Sequence, residues 1–296
     1  MPDANARDGL LVVDKPGGWT SHDVVARIRK LAATKRVGHA GTLDPMATGV
    51  LLVGVGRATR LLGHLALRDK AYDATIRLGQ STVTDDSEGD VLSEASSVHL
   101  TDAEIGHGIS RLTGVIDQVP SQVSAVKVGG QRSYARVRAG EDVELPTRRV
   151  TVTRFDLLQT RRPTEPTGVV DVDVHVVCSS GTYVRALARD LGSSLGVGGH
   201  LTALRRTRVG PYDVSQAHAL YGLVAPLPLL PLRDVVAAAF PRRDVDSATA
   251  DRVSHGVPLP AGGQVGPIGV FGPDGAVLAL VEDRDGRARP LVVFSG

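Results

Sequence analysis

"VVDVDVHVVCSSGTYVRALARDLG", residues 169–192, holds the clearest pair of elements in the chain. Val170, Val172, Val174 and Val176 alternate with Asp171, Asp173 and His175, the two-residue period of a strand with one buried face. Ser179-Ser180-Gly181 then breaks the run. Beyond it Val184, Leu187 and Leu191 fall on one side of a helix. The same strand, turn and helix recur near the start. Leu10 to Val13 is a β-type apolar run, and Pro16-Gly17-Gly18 ends it. Thr20 or Ser21 caps the helix that follows, with Val24, Val25, Ile28 and Leu31 on one face.

Between these pairs, Val50 to Val55 reads as a strand and "RATRLLGHLAL", residues 57–67, as a short helix. In "AYDATIRLG" Tyr72, Ala74, Ile76 and Leu78 face one way, while Asp73, Thr75 and Arg77 face the other. A helix is expected over Asp102 to Leu112. Val119 to Pro146 is long, basic and Gly-containing, and reads as an inserted arm with a short helical piece around Tyr134 to Arg138. "APLPLLPL", residues 225–232, is a Pro-punctuated linker before a short helix. From Pro241 onward "PIGVF", "AVLALVE" and "RPLVVF" are separated by "GPDG" and "DRDG", the signals of hairpins in a separate small β module. Strands mixed with segregated helices favour an α+β core over a doubly wound sheet.

The 296 residues suffice for a large domain and a small one, and 42% hydrophobic with 22% charged residues is a globular composition. No apolar run reaches the roughly 18 residues that a bilayer span needs. "MPDANARDGL" has neither the basic start nor the apolar centre of a secretory signal, so a cytoplasmic protein is expected. The single cysteine, Cys178, excludes an intramolecular disulfide framework and a Cys-rich zinc site, and on its strand it reads as packing. Net charge is +2, but "RIRKLAATKR" holds five basic residues and no acid. "LRRTR" adds Arg205, Arg206 and Arg208, while "GGQRSYARVRAG" adds Arg132, Arg136 and Arg138. Acidic residues gather in "TDDSEGD", residues 84–90. Such segregation suits one face for a polyanion.

"RVGHAGTLDPMATGVLLVGVGRATR", residues 36–60, surrounds a single carboxylate, Asp44, with glycines. It is no P-loop and has no dinucleotide fingerprint, and no GxSxG elbow occurs in the chain. His39 and His64 lack partners at metal-ligand spacing, and no metal or cofactor is expected. Pro45 pushes Asp44 toward an extended backbone and removes the next amide donor, while Gly38, Gly41 and Gly49 let a flat ligand approach. An ionised carboxylate there serves as nucleophile or base; alternatively it bonds its own turn.

"GHAGTLDPMATGVLLVGVGRATR" closely resembles the signature of the TruB family of tRNA pseudouridine synthases, in which the aspartate of the G-T-L-D-P segment is catalytic. "LLVVDKPGGWTSHDVV" is similar to the family's K-P motif and "YDATIRLGQSTVTDDSEG" to its tyrosine-bearing strand. "SSGTYVRALARDLG" resembles its G-T-Y-I/V-R segment, and "GGHLTALRRTRVG" its leucine-arginine segment. The resemblance implies a pseudouridine synthase catalytic fold, built on a mixed or antiparallel sheet with flanking helices. It would span residues 1–240 and carry the arm at 119–146, with a PUA-like RNA-binding domain at 241–296. It implies that Asp44 acts at C1′ of the ribose or at C6 of the ring, or assists cleavage through a glycal. Arg185 would pair with Asp44, Tyr72 would stack on the uracil and take part in removing the C5 proton, and Tyr183 and Leu204 would line the base pocket. His39 would support the flipped nucleotide and Lys15 would brace the site. Rival readings place Tyr72 and Leu204 in the core, Lys15 on the surface, and Arg185 on Asp190 or a phosphate. "PSQVSAVKV" departs from the family at Val123, where an aromatic is common. The substrate implied is the T-loop uridine of tRNA, position 55, with the C-terminal module on the acceptor end; a monomer without an obligatory protein partner is the default expectation. A tRNA-folding protein without catalysis and a guide-RNA-dependent modifier are the competing classes.

Overall fold

The computed structural model describes residues 8–121, 127–128, 131–132 and 145–294. The helical piece expected at Tyr134–Arg138 and the cations Arg136 and Arg138 lie outside them. In chain order the principal elements of the first half are β1 (Gly9–Lys15), α1 (Ser21–Leu31), β2 (Val37–Ala40), β3 (Thr48–Val55), α2 (Leu62–Ala66), β4 (Lys70–Leu78), α3 (Asp102–Arg111) and β5 (Gly114–Gln118). Then follow β6 (Arg148–Arg161), β7 (Val170–Cys178), α4 (Val184–Ser194), β8 (Gly199–Val209), α5 (Leu232–Ala239), α6 (Ser247–Ser254), β9 (Ile268–Phe271), β10 (Val277–Arg284) and β11 (Arg287–Val293). Two compact units result. One comprises Met1–Asp44, Val50–Ala66 and Val209–Gly296; the other comprises Pro45–Gly49 and Leu67–Arg208.

In the first unit β1 lies between β3 and a short parallel strand at His218–Ala219, and β2 pairs antiparallel with β3. Thr20, not Ser21, caps α1. Its hydroxyl accepts from the Asp23 amide and the Asp23 carboxylate accepts from the Thr20 amide, a reciprocal box that satisfies two end donors. Val24, Val25 and Ile28 are buried as expected, while Leu31 stays half-exposed. The β-rich C-terminal stretch forms its own five-stranded sheet, in which β9 pairs with β10 and β10 with β11. One face of that sheet encloses Val253, Leu259, Ile268, Val270, Val281 and Ala288. On the other, Phe271, Leu280 and Phe294 share a core with Leu10, Val12, Leu52, Val235 and Phe240. Arg57 and Arg60 extend the attachment, donating to the carbonyls of Phe294 (2.8 Å) and Val293 (2.7 Å). Helix α6 was not expected in this stretch, because "SATADRVS" buries Val253 alone and shows almost no apolar period.

In the second unit the strand order runs from β8 through β4, β7 and β6 to β5, and the pairings of β4 with β7, β7 with β6 and β6 with β5 are antiparallel. Thr48 and Gly49, the first residues of β3, pair in parallel with Arg205 and Arg206 of β8, so the sheet is mixed. Tyr72, Ala74, Ile76 and Leu78 of β4 are buried with Val170, Val172, Val174 and Val176 of β7, as their alternation requires. Asp171 departs from the solvated face expected of it. It is only 5% exposed, because Arg77 on β4 covers it with two bonds of 2.8 and 2.9 Å. Helix α3 begins behind a second reciprocal box, Thr101 with Glu104.

Candidate active site

Within the first unit, the turn joining β2 to β3 carries Asp44. The register sets Val37 opposite Val55 and Ala40 opposite Leu52, so the residues between Ala40 and Thr48 must reverse the chain. Gly41 begins the reversal at φ +87°, a conformation that costs a side-chain-bearing residue energy. Leu43 and Ala47 are buried and Asp44 is half-buried between them. Ser21 holds the turn from α1. Its hydroxyl accepts from the Leu43 amide (2.9 Å) and donates to the Leu43 carbonyl (3.1 Å), so the residue before Asp44 is clamped by both polar groups. Reading Ser21 only as an alternative cap missed this function; its place in the S-H-D segment was the available signal. Lys15 is fully buried. Its ammonium donates to the carbonyls of Trp19 (2.6 Å) and Pro16 (2.9 Å), which removes the surface reading and makes it the brace of the K-P loop. His39, on β2 opposite Val53, meets the ring of His22 edge-on with centroids 5.6 Å apart.

Within the second unit, Pro45–Gly49 is anchored at Gly49. Gly49 has φ +98°, and a β-carbon there would lie 2.2 Å from the Arg206 carbonyl oxygen, so only glycine permits this approach. Tyr72, 7% exposed, stands opposite Val176 of β7. Tyr183 precedes α4, and the Gln118 side chain grips it by accepting from its amide (2.8 Å) and donating to its carbonyl (3.1 Å). Arg185, in the first turn of α4, is 6% exposed and lies 3.3 Å from Asp86, itself buried, while donating to the Thr84 carbonyl at 2.9 Å. Asp190 is held by Arg189. Leu204 is buried and borders an open cleft of about 430 Å³ with Met46, Thr48, Asp73 and Asp173.

Two charge assignments change. The acidic run at residues 84–90 is not segregated from the basic residues, since Asp86 faces Arg185 and Asp85 faces Arg189 at 3.3 Å. Burial raises the Asp85 carboxyl above its ordinary range, opposed by contacts that include Arg189 and Arg185. Nor does "LRRTR" present three cations to a polyanion. Arg206 is 1% exposed, Arg205 donates to the Thr48 hydroxyl (3.3 Å), and Arg208 pairs with Asp69 at 2.8 Å. Cys178 is buried, and burial pushes its thiol up to about 11, which leaves it protonated and inert. Among the described residues, no three His, Cys, Asp or Glu gather as a metal would require, and no helix is long and apolar enough to cross a membrane.

Comparison with known proteins agrees with the motif order. Residues 29–184 match the family model "TruB family pseudouridylate synthase (N terminal domain)". Residues 185–227 match "tRNA pseudouridylate synthase B C-terminal domain", and residues 240–295 match "tRNA Pseudouridine synthase II, C terminal". A tRNA pseudouridine synthase B of Thermobifida fusca is 62% identical over 98% of this chain and 99% of its own. One from Streptomyces griseus is 57% identical over 97% of each. Among solved structures, a chain in the crystal structure of a Cbf5-Nop10-Gar1 complex superposes with a TM-score of 0.73 at 25% identity, covering 98% of this chain and 85% of that one.

Proposed function

The chain belongs to the TruB family of pseudouridylate synthases, and on that premise we propose that it isomerises uridine 55 in the T-loop of tRNA, with Asp44 as the essential carboxylate. The reaction breaks the N1–C1′ bond, turns the uracil and forms a C5–C1′ bond. One proton leaves C5 and N1 ends protonated, so neither redox change nor metal is needed. A stacked base hides C1′ and C6, so the uridine must first be extruded, at a cost of a few kcal/mol. In this reading Asp44 attacks C1′ or C6, or assists cleavage through a glycal. Arg185 keeps the carboxylate charged and aimed, Tyr72 stacks on the ring and helps remove the C5 proton, and Tyr183 and Leu204 line the base pocket. His39 supports the extruded nucleotide, and Lys15 braces the loop beneath it.

One observation carries the assignment of Asp44. The residue before it, Leu43, has both of its backbone polar groups held by the Ser21 hydroxyl, so the carboxylate follows a fixed peptide. Preorganisation of that kind supports catalysis and is superfluous for a turn aspartate bonding its own backbone. Phosphate contacts from exposed cations such as Lys30, Lys35 and Arg36 offset the extrusion cost. The arm at 119–146 closes over the T-loop, and the PUA-like module at 241–296, beyond the catalytic domain at 1–240, contacts the acceptor end. The protein works in the cytoplasm as a monomer, without cofactor or protein partner.

Purified protein alone, incubated with a tRNA transcript bearing uridine 55, should form pseudouridine at that position. Asp44→Asn should reduce the rate by roughly 10⁴ or more while RNA affinity is kept. A fully active Asp44→Asn enzyme removes the carboxylate mechanism. Activity only on addition of a guide RNA removes the stand-alone reading.

A further inference from the structure

Trp19, the only tryptophan in the chain, has no part in the chemistry above. It sits at the outer end of the K-P loop, fixed there by the Lys15 ammonium on its carbonyl. Its indole meets the Tyr221 ring edge-on, with centroids 5.9 Å apart, and its Nε1 donates to the Tyr221 hydroxyl at 2.8 Å. Tyr221 is 66% exposed, so the hydrogen-bonded pair forms an aromatic corner at the surface. Beside it lies an open cleft of about 440 Å³, lined by Gly18, Trp19, Asp23, Ala26, Arg27 and Lys30. These helical residues are spaced by three and four, so they share one stripe of α1.

The charges in this cleft do not cancel. The Asp23 carboxylate is engaged in the cap, accepting from the Thr20 amide (3.0 Å) and hydroxyl (2.6 Å). Arg27 and Lys30, one turn apart, carry the positive excess. The Arg27 Nε has no acceptor among the described residues, so no protein carboxylate meets the guanidinium there. The lip is open as well, since a β-carbon at Gly18 would meet nothing within 4 Å. An indole wall, a small floor at Ala26 and two cations suit a flat base carrying a phosphate. Single-stranded RNA sites combine aromatic platforms with cations in this way.

We propose that this cleft binds one unpaired ribonucleotide of an RNA strand, its base against Trp19 and its phosphate on Arg27 and Lys30. The site does not depend on the assignment of uridine 55 or of Asp44. Because Trp19 is unique, its emission reports the site directly in the full-length protein. Titration with a uridine hexamer should quench that emission saturably. The double variant Arg27→Ala/Lys30→Ala should raise the half-saturation point about tenfold without altering the emission of the free protein. Heparin, a polyanion without bases, should leave the emission unchanged. The proposal is overturned by no binding of the hexamer, by binding detected by anisotropy of a labelled hexamer with Trp19 emission unmoved, or by an unchanged midpoint in the double variant. Equal quenching by heparin reduces the site to a general anion patch and overturns it too. Pseudouridine formation by the same wild-type preparation tests the catalytic reading separately.

Discussion

At the scale of single residues, Ser21 and Lys70 show how much a buried polar group decides. Ser21→Ala leaves the Leu43 amide and carbonyl without their partner, a cost of about 1–3 kcal/mol for an unmet buried group. Since Leu43 precedes Asp44, kcat on the tRNA transcript should fall roughly 10–100-fold with KM nearly unchanged, because small misplacement of a reacting group is expensive. An equal loss in Ser21→Thr, which retains the hydroxyl, would point to packing. Lys70 is buried at the start of β4, donating to the Arg68 carbonyl at 2.7 Å. Burial, and after it the Arg206 guanidinium, lowers its ammonium from 10.5 to about 8, against Cys178 and Asp69. The unfolded chain therefore holds more protons between those two values, so stability is penalised below pH 8 and rises as pH climbs through the window. Cys178, raised from 9.0 to about 11, acts with the opposite sign above pH 9. From pH 8 to 9 the Lys70 slope approaches about 1.4 kcal/mol per pH unit. Urea titrations should find that slope flattened in Lys70→Met; an undiminished slope would assign the dependence to another group.

At the scale of elements, β3 and β8 meet at a point that tolerates no side chain. Gly49→Ala places a methyl 2.2 Å from the Arg206 carbonyl oxygen and strains φ +98°, so destabilisation of at least about 3 kcal/mol is expected. Denaturant unfolding measures it, and a cost below about 1 kcal/mol would show that β8 moves aside freely. Elements were legible in the sequence where the period was unbroken. β4, β7, α1 and α4 follow their apolar spacing. β6 escaped notice although it is 14 residues long, because bulges between Val152 and Arg154 and between Leu157 and Gln159 shift the register and break the alternation. α6 escaped because its start is set by the Asp246 side chain on the Thr249 amide (2.8 Å) and its packing by one valine.

At the scale of the whole molecule, the C-terminal sheet is part of a larger core and not an appendage with a core of its own alone. Phe271, Leu280 and Phe294 pack with Leu10, Val12 and Leu52, and each large buried side chain is worth roughly 2 kcal/mol. Total stability of such proteins is about 5–15 kcal/mol, so a chain ended after Phe240 should lose cooperative unfolding and solubility. A soluble 1–240 fragment with a sharp melt by circular dichroism would contradict this. Taken alone, the sequence determined the strand and helix periods, the absence of a disulfide framework, and the ordered motifs that show the family and mark Asp44, Tyr72 and Arg185 as candidates. Those depend on local spacing and on residue type, which a linear string carries in full. Tertiary structure alone decided that Asp86 meets Arg185, that Arg206 and Lys70 are buried, that Ser21 clamps Leu43, and that Trp19 borders a cleft. The Asp86–Arg185 and Ser21–Leu43 contacts join residues far apart in the chain, and burial is a property of the packed molecule, on which charge pairing and proton affinity then depend.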